Sequence, residues 1–184
     1  MKALVIKSTG SWYTVESEEG LLYECRIKGK FRLDNIKSTN PIVVGDFVEI
    51  KSEEDSWMII KLHKRKNQIV RKSVNLSKQT HIIASNIDQA FLIVTLVLPE
   101  TTTGFIDRFL VSANAYGVDV VLLFNKNDLY KKDTLVKQDK IVKIYENIGY
   151  ECCLISALND DLNIIHKKLK GKNTLISGHS GVGK

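Results

Sequence analysis

The sequence predicts an all-β barrel followed by an α/β domain that is built on a parallel sheet. Two observations carry this prediction. Up to residue 68 apolar and polar residues alternate in short runs, whereas from residue 86 onward apolar runs of strand length alternate with amphipathic stretches of helix length. The 184 residues are therefore expected to form a barrel domain (1–68), a linker (69–85) and an α/β domain (86–184).

Five short strands are predicted in the barrel domain, separated by turn signals such as Thr9-Gly10 and Asn40-Pro41. Their sequences are KALVIKS, SWYTVES, LLYECRI, IVVGDFVEI and SWMIIKLH. Five short strands without a segment of helical periodicity indicate a small closed or partly open barrel of the OB-fold type.

The charge distribution favours a polyanionic partner for this barrel. The formal net charge is +6, and basic residues cluster in Cys25–Arg32 and Lys61–Lys72. An OB-fold commonly binds single-stranded nucleic acid through such cations and through rings that stack on bases. The candidate rings are Trp12, Tyr13, Tyr23 and Phe31. The alternative is a solvated basic face with aromatic residues that pack in the core.

Other features of the sequence point to a cytoplasmic protein without a membrane partner. The longest apolar run, Ala90 to Leu98, is too short to cross a bilayer, and the N-terminus lacks the apolar core of a signal peptide. The adjacent Cys152 and Cys153, together with Cys25, fit reduced thiols better than a disulfide framework or a metal site.

The α/β domain is predicted to alternate four strands with three helices. The strands are QAFLIVTLVL, DVVLLF, ECCLIS and NTLIS, and the helices are TGFIDRFLVSANAYG, DTLVKQDKIVKIYENIG and DDLNIIHKKLKG. The apolar face of the first helix comprises Phe105, Ile106, Phe109, Leu110 and Ala113. Such alternation implies parallel strands joined by right-handed crossovers, and ligands of these sheets bind at the carboxyl ends of the strands.

Three polar segments follow predicted strands and should therefore share one edge of the sheet. NKND (Asn125–Asp128) follows the second strand, Ser156 and Ala157 follow the third, and GHSGVGK (Gly178–Lys184) follows the fourth. We expect all three to contribute to one site.

The last segment has the spacing of a phosphate-binding loop, G-x-x-x-x-G-K. Glycines allow the tight turn that points backbone N–H groups at an anion, and Lys184 offers a cation to the outer phosphates. The candidate phosphate-binding residues are Gly178, His179, Ser180, Gly181, Val182, Gly183 and Lys184. A glycine-rich turn that happens to end in lysine is the alternative. His179 is interpreted as a variable loop position, so no catalytic residue is assigned.

The NKND segment has the chemistry to read guanine. The Asp128 carboxylate can accept hydrogen bonds from the ring N1–H and the exocyclic amine of guanine, whereas adenine presents an acceptor at N1. Asn125 can brace neighbouring loops, the stem of Lys126 can cover the base, and Asn127 completes the segment. A solvated turn with a helix-capping aspartate would have the same sequence.

With these motifs the chain resembles the circularly permuted GTPases, because N-K-x-D and S-A precede the phosphate loop instead of following it. Within that group, GSWYTVESEEGLLYECRIKGKFR, PIVVGDFVEI, ASNIDQAFLIVTLVLP and IDRFLVSANAYGVDVVLLFNKNDL resemble the family that acts in biogenesis of the small ribosomal subunit. The resemblance implies an OB-fold that binds ribosomal RNA, a partial P-loop GTPase domain, and ribosome-stimulated GTP hydrolysis during late maturation of the 30S subunit.

The resemblance also implies cofactors, partners and missing parts. GTP or GDP with Mg²⁺ is expected, with Ser156 and Ala157 backing the base, and the small subunit with its rRNA is the expected partner of a monomer that binds no DNA. The family's magnesium-binding Ser or Thr, its switch threonine, its D-x-x-G segment and its zinc-binding domain are not in these residues. We therefore expect a truncated chain with incomplete catalysis, and Zn²⁺ only in a C-terminal region beyond Lys184.

Two alternatives to a GTP-hydrolysing assembly factor remain open from the sequence. The first is an RNA-binding module that holds a nucleotide without significant hydrolysis. The second is a P-loop kinase, which is the weaker candidate because it has no need for the NKND segment.

Overall fold

The computed structural model describes residues 1–27, 41–53, 56–72, 80–160 and 162–184. The chain divides into two compact units, Met1–Ile87 and Asp88–Lys184. Within the described residues, no helix has the length and apolar character that a membrane crossing requires.

The first unit contains a closed five-stranded barrel, which confirms the predicted fold of this part. Its strands are β1 (Lys2–Thr9), β2 (Trp12–Ser17), β3 (Leu22–Ile27), β4 (Phe47–Glu53) and β5 (Ser56–Leu62), in the order β1-β2-β3-β5-β4. Only β3 and β5 pair in parallel among the barrel strands described. Alternate strand side chains point inward and form the core together with Ile42, which precedes β4. The strand residues of this core are Ala3, Val5, Tyr13, Val15, Cys25, Val48, Ile50 and Ile59.

The fourth strand begins at Phe47, later than its sequence pattern predicts, because a tight turn precedes it. Gly45 has a φ of +92°, and a Cβ atom added there would lie 1.9 Å from the Ser85 carbonyl oxygen. Only glycine fits this conformation and this approach. Ile42 and Val43 are nevertheless buried, which explains why the predicted strand extended across them.

The predicted linker, residues 69–85, contains most of a two-stranded antiparallel sheet instead. Its strands are β6 (Gln68–Lys72) and β7 (Thr80–Ser85). The fully buried Asp46 carboxylate accepts hydrogen bonds from the Arg65 guanidinium (2.7 Å), just before β6, and from the Ser85 hydroxyl (2.5 Å), at the end of β7. Hydrogen bonds between residues far apart in the sequence leave no signal in local periodicity. The basic composition of the segment therefore led to the prediction of a linker.

The aromatic rings considered for base stacking have different environments. Tyr13 is buried in the barrel core, and Tyr23 packs on Trp57 with ring centroids 4.5 Å apart. Trp12 is 43% exposed, and the Arg26 guanidinium lies 3.8 Å from its ring centroid. Phe31 lies outside the described residues. Trp12 is therefore the candidate ring, among those described, that a base could reach.

The second unit is a four-stranded parallel sheet with helices between its strands, which confirms the predicted α/β fold. Its elements are β8 (Gln89–Val94), α1 (Thr103–Ala115), β9 (Asp119–Phe124), α2 (Lys132–Asn147), β10 (Glu151–Leu154), α3 (Asn163–Leu169) and β11 (Thr174–Ser177). The strand order is β10-β9-β8-β11. Every residue of β8 is buried, as expected for an inner strand of a parallel sheet.

Two helix boundaries have clear local causes. The Thr102 side chain caps α1 by accepting a hydrogen bond from the Phe105 amide, and Ile106, Leu110 and Ala113 form the buried face. The third helix begins at Asn163, later than predicted, and Asp160 uses its carboxylate to accept a hydrogen bond from the Ser156 amide.

Candidate nucleotide-binding site at the strand ends

The three polar segments lie beyond the carboxyl ends of β9, β10 and β11, at one edge of the sheet. Strand pairing continues into the first of them, since the Asn125 amide donates to the Val94 carbonyl at 2.8 Å. The Ile155 amide, just before Ser156, donates to the Phe124 carbonyl at 2.8 Å. The parallel register therefore brings NKND and Ser156-Ala157 to the same level of the sheet.

The Asn125 side chain joins all three segments. It is 2% exposed, its Nδ2 donates to the Val182 carbonyl at 2.9 Å, and its Oδ1 accepts from the Ala157 amide at 2.9 Å. One side chain thus links the end of β9 to the loop after β10 and to the glycine-rich loop after β11. Buried amides with satisfied donors and acceptors fix such loops against one another.

Asp128 is held by the loop that follows β10. The Ser156 hydroxyl donates to Asp128 Oδ1 at 2.7 Å, and Ser156 itself is 4% exposed. Asp128 is exposed, and a carboxylate has acceptor sites beyond the one that this bond uses. An exposed acceptor held in a defined orientation suits a ligand that presents hydrogen-bond donors.

Lys126 connects two loops at the same edge. Its backbone is left-handed, with a φ of +70°, and its Nζ donates to the Leu98 carbonyl at 2.5 Å and to the Gly181 carbonyl at 2.7 Å. The aliphatic stem of Lys126 therefore runs from the NKND segment to the glycine-rich loop.

The glycine-rich loop is shaped by close approaches that exclude side chains. A Cβ atom added to Gly178 would lie 2.8 Å from the Ile93 carbonyl oxygen, and one added to Gly183 would lie 2.6 Å from Asn125 Nδ2. Gly183 also has a φ of +88°, a conformation that favours glycine. A loop with this backbone can present N–H groups to phosphate oxygens.

Two side chains of the loop hold it in place. Val182 is fully buried and packs in a cluster with Phe91, Ile93, Val121 and Leu123. The Lys184 ammonium donates to the carbonyls of His179 (2.8 Å) and Gly178 (3.1 Å), so the lysine curves back over its own loop. These carbonyls are weak partners that phosphate oxygens could replace.

The remaining loop positions differ in environment. The His179 ring lies against the Phe105 ring of α1, with centroids 4.0 Å apart and planes at 35°. This packing fits a loop position that contacts the helix. Ser180 is exposed.

Sequence reasoning missed two buried polar side chains that support NKND. The Tyr130 hydroxyl donates to the Asn125 carbonyl (2.7 Å) and accepts from the Leu96 amide (2.8 Å), and burial raises its pKa. Gln138, 1% exposed, donates from Nε2 to Asn127 Oδ1 at 2.6 Å. The sequence carries one signal for Gln138, because it shares the buried face of α2 with Ile141 and Tyr145.

The polar groups at this edge of the sheet have the chemistry to bind a nucleotide. Within the described part of the chain, no three His, Cys, Asp or Glu side chains are close enough together to hold a metal ion. The positive-φ glycines, the lysine at the end of the loop and the acceptor at Asp128 match phosphates and a donor-bearing base.

Comparisons with known proteins show which family the chain resembles. Residues 62–184 match the family model of the RsgA GTPase, and residues 2–60 match that of the RsgA N-terminal domain. The small ribosomal subunit biogenesis GTPase RsgA of Bacteroides fragilis is 55% identical over 100% of the chain and 60% of its own length. The protein of the same name from Flavobacterium johnsoniae is 56% identical over 100% of the chain and 58% of its own length.

Two solved structures have the same fold. YjeQ from Thermotoga maritima has a TM-score of 0.75 and 37% identity, over 100% of the chain and 62% of that structure. YloQ, described as a circularly permuted GTPase, has a TM-score of 0.70 and 30% identity, over 99% of the chain and 61% of that structure. The chain thus spans about 60% of the length of the curated relatives it matches. The predicted resemblance is confirmed, and the chain belongs to the RsgA GTPase family.

Proposed function

We propose that this chain is part of a GTP-binding and GTP-hydrolysing factor that acts in late maturation of the small (30S) ribosomal subunit and binds its rRNA. One observation carries the proposal for the nucleotide: Asn125 joins NKND, Ser156-Ala157 and the glycine-rich loop into one site. Because the proposed partner is the small ribosomal subunit, the proposed place of activity is the cytoplasm.

In this proposal Asp128 reads the base. Its carboxylate accepts hydrogen bonds from the N1–H and the exocyclic amine of guanine, while the Ser156 hydroxyl holds Oδ1 at 2.7 Å. Lys126 covers one face of the base with its stem, and the Ala157 segment backs the base from the loop. Adenine would instead place its N1 acceptor against the carboxylate and lose both hydrogen bonds, at a cost of about 1–3 kcal/mol.

The glycine-rich loop holds the phosphates in the same proposal. Backbone N–H groups from Gly178 to Lys184 surround the phosphate oxygens, and the Lys184 ammonium exchanges its carbonyl partners for the outer phosphates. Mg²⁺ would bind together with GTP, and the chemistry it would supply is neutralisation of phosphate charge. These residues bind and orient the nucleotide, and no residue is assigned to activating the water.

One alternative to GTP hydrolysis was left open by the sequence. A nucleotide-holding RNA-binding module without hydrolysis is not favoured, because the curated relatives are named as GTPases.

Base recognition is tested by Asp128→Asn in titrations with GTP and with xanthosine triphosphate. Asparagine offers a donor where xanthine presents a carbonyl acceptor, so GTP affinity should fall by about 30-fold or more and XTP affinity should rise. Asp119→Asn is the matched control, because Asp119 is exposed at the opposite end of the same strand. Unchanged GTP affinity in Asp128→Asn would remove Asp128 from the site.

For RNA, we propose that the outer face of the barrel contacts a single-stranded segment of rRNA. Strand register places Trp12, Arg26, Met58 and Lys51 in one row across four strands. Trp12 offers a partly exposed ring already paired with a guanidinium, and Lys51 is an exposed cation at the far end of the row.

The RNA proposal predicts binding that depends on salt and on the tryptophan ring. Affinity for small-subunit RNA should fall steeply between 50 and 200 mM salt, roughly in proportion to the phosphates neutralised. Trp12→Ala should weaken binding by about tenfold at every salt concentration, because stacking contributes about 1–3 kcal/mol per base. Salt-independent binding, or Trp12→Ala binding as tightly as wild type, would contradict this interface.

A further inference from the structure

The orientation of Asp128 depends on a short turn between β9 and α2. Lys126 is left-handed, and the residues that follow it form a single 3-10 turn, Asn127–Leu129. The Leu129 amide donates to the Lys126 carbonyl at 3.0 Å, and the Tyr130 amide donates to the Asn127 carbonyl at 3.1 Å. A turn of two backbone hydrogen bonds has little stability of its own, so its geometry must be held from outside.

Tyr130 closes this turn from its C-terminal end. Its hydroxyl donates to the carbonyl of Asn125 at 2.7 Å and accepts from the amide of Leu96 at 2.8 Å. The side chain is 8% exposed, so the two bonds form away from water. The hydroxyl therefore links both ends of the NKND segment to the loop after β8.

Gln138 holds the middle of the turn from helix α2. Its Nε2 donates to the Asn127 side-chain oxygen at 2.6 Å, and the glutamine is 1% exposed. Asn127 occupies the variable position of N-K-x-D, directly before Asp128. A buried glutamine on an otherwise apolar helix face has a desolvation cost that this hydrogen bond offsets.

We propose that Tyr130 and Gln138 are positioning residues that set the base specificity of the nucleotide site by fixing the Asp128 carboxylate. The proposal rests on the proposed function, since it concerns the same guanine contact. Neither side chain touches the base; both act through the backbone and side chain of the NKND segment.

The physical reason lies in the bidentate geometry of the contact. Two parallel hydrogen bonds require both carboxylate oxygens to be aligned with two donors, and a displacement of about 0.5 Å already weakens one of them. Hypoxanthine retains N1–H but lacks the exocyclic amine of guanine. The ratio of the dissociation constants for inosine diphosphate (IDP) and GDP therefore reports the alignment of the second bond.

The experiment measures the dissociation constants of GDP, IDP and ADP by displacement of a fluorescent GDP analogue from the 184-residue chain. The variants are Tyr130→Phe and Gln138→Leu, which remove one hydrogen-bonding group each and keep the size of the side chain. The IDP/GDP ratio should fall about fivefold in each variant, the equivalent of about 1 kcal/mol.

Matched controls remove equivalent groups elsewhere in the second unit. Tyr145→Phe removes a hydroxyl that donates to Asp107 at 2.8 Å, and Gln89→Leu removes an amide that donates to the Lys168 carbonyl at 2.8 Å and to Thr174. Both side chains are buried. The IDP/GDP ratio should match that of wild type in these controls, even if overall affinity falls with stability.

The results distinguish failure of the proposed guanine binding from failure of the positioning role of Tyr130 and Gln138. If the wild-type chain does not prefer GDP to ADP, the proposed function fails. If the wild-type chain prefers GDP but the ratio in Tyr130→Phe and Gln138→Leu stays within twofold of wild type, the positioning role is overturned. Loss of the helical circular dichroism signal in both variants, with both controls folded, would also overturn it by showing a purely structural role.

Discussion

Replacing Gly183 by alanine places a methyl group against the side chain that joins the three segments of the site. The new Cβ would lie 2.6 Å from Asn125 Nδ2, well inside van der Waals contact. Asn125 would have to move, and its hydrogen bond to the Val182 carbonyl would break. Gly181 provides a matched comparison, because its φ of +84° is close to the +88° of Gly183 while its added Cβ meets only Pro99 Cδ at 3.5 Å.

The magnitude follows from two contributions. Forcing alanine into a left-handed conformation costs about 1 kcal/mol, and this applies to both variants. Gly183→Ala also disturbs the two hydrogen bonds of the buried Asn125 amide, at about 1 kcal/mol each. We expect the second unit to lose about 3 kcal/mol in Gly183→Ala and about 1 kcal/mol in Gly181→Ala.

The assay uses urea unfolding with two spectroscopic probes. The described helices all lie in the second unit, so circular dichroism at 222 nm follows that unit, whereas both tryptophans, Trp12 and Trp57, report on the first. The midpoint by circular dichroism should be about 1 M lower in Gly183→Ala than in Gly181→Ala. The tryptophan transition should not change. Equal midpoints by circular dichroism would refute the contact between Gly183 and Asn125.

Two further predictions concern the stability of each unit. In the first unit, Asp46→Asn leaves the Arg65 side chain, which is only 17% exposed, without its carboxylate partner. The free energy of unfolding, measured in urea by tryptophan fluorescence, should fall by about 3 kcal/mol. The control is Glu49→Gln, which removes the more exposed ion pair with Lys61 in the same unit and should change little. A loss below about 1 kcal/mol in Asp46→Asn would contradict the role of the buried pair. In the second unit, burial raises the pKa of Cys152 from 9.0 to about 12. As the pH rises, the thiol therefore ionises in the unfolded chain before it ionises in the folded chain. The free energy of unfolding should fall between these pH values. Cys152→Ala should make this fall less steep, and an identical pH dependence would count against the assignment.

Local periodicity predicted most elements because each buries one face against a neighbour. The second strand of the α/β domain, DVVLLF, coincides with β9 (Asp119–Phe124), and the first helix of that domain has Ile106, Leu110 and Ala113 buried as expected. Periodicity was less informative where side chains make long-range polar contacts. Residues 69–85 were predicted to be a linker, since nothing local reveals that Asp46 binds Arg65, just before β6, and Ser85, at the end of β7.

The chemistry of the candidate site was largely readable from the sequence. A glycine-rich loop ending in lysine and the NKND segment each follow an apolar strand, and parallel strands bring such segments to one edge. The supporting residues Tyr130 and Gln138 were not readable in the same way. A tyrosine after a turn and a glutamine on a helix are common, and only their burial and hydrogen bonds distinguish them.

The order of the elements and the residue types that face a ligand could be predicted from local patterns alone, because strand and helix periods and turn residues are local properties. Tertiary structure decided which of those residues meet. Asn125 bonds to residues 32 and 57 positions away, and Asp128 bonds to one 28 positions away. Such contacts depend on the strand order β10-β9-β8-β11, which packing of the whole sheet selects.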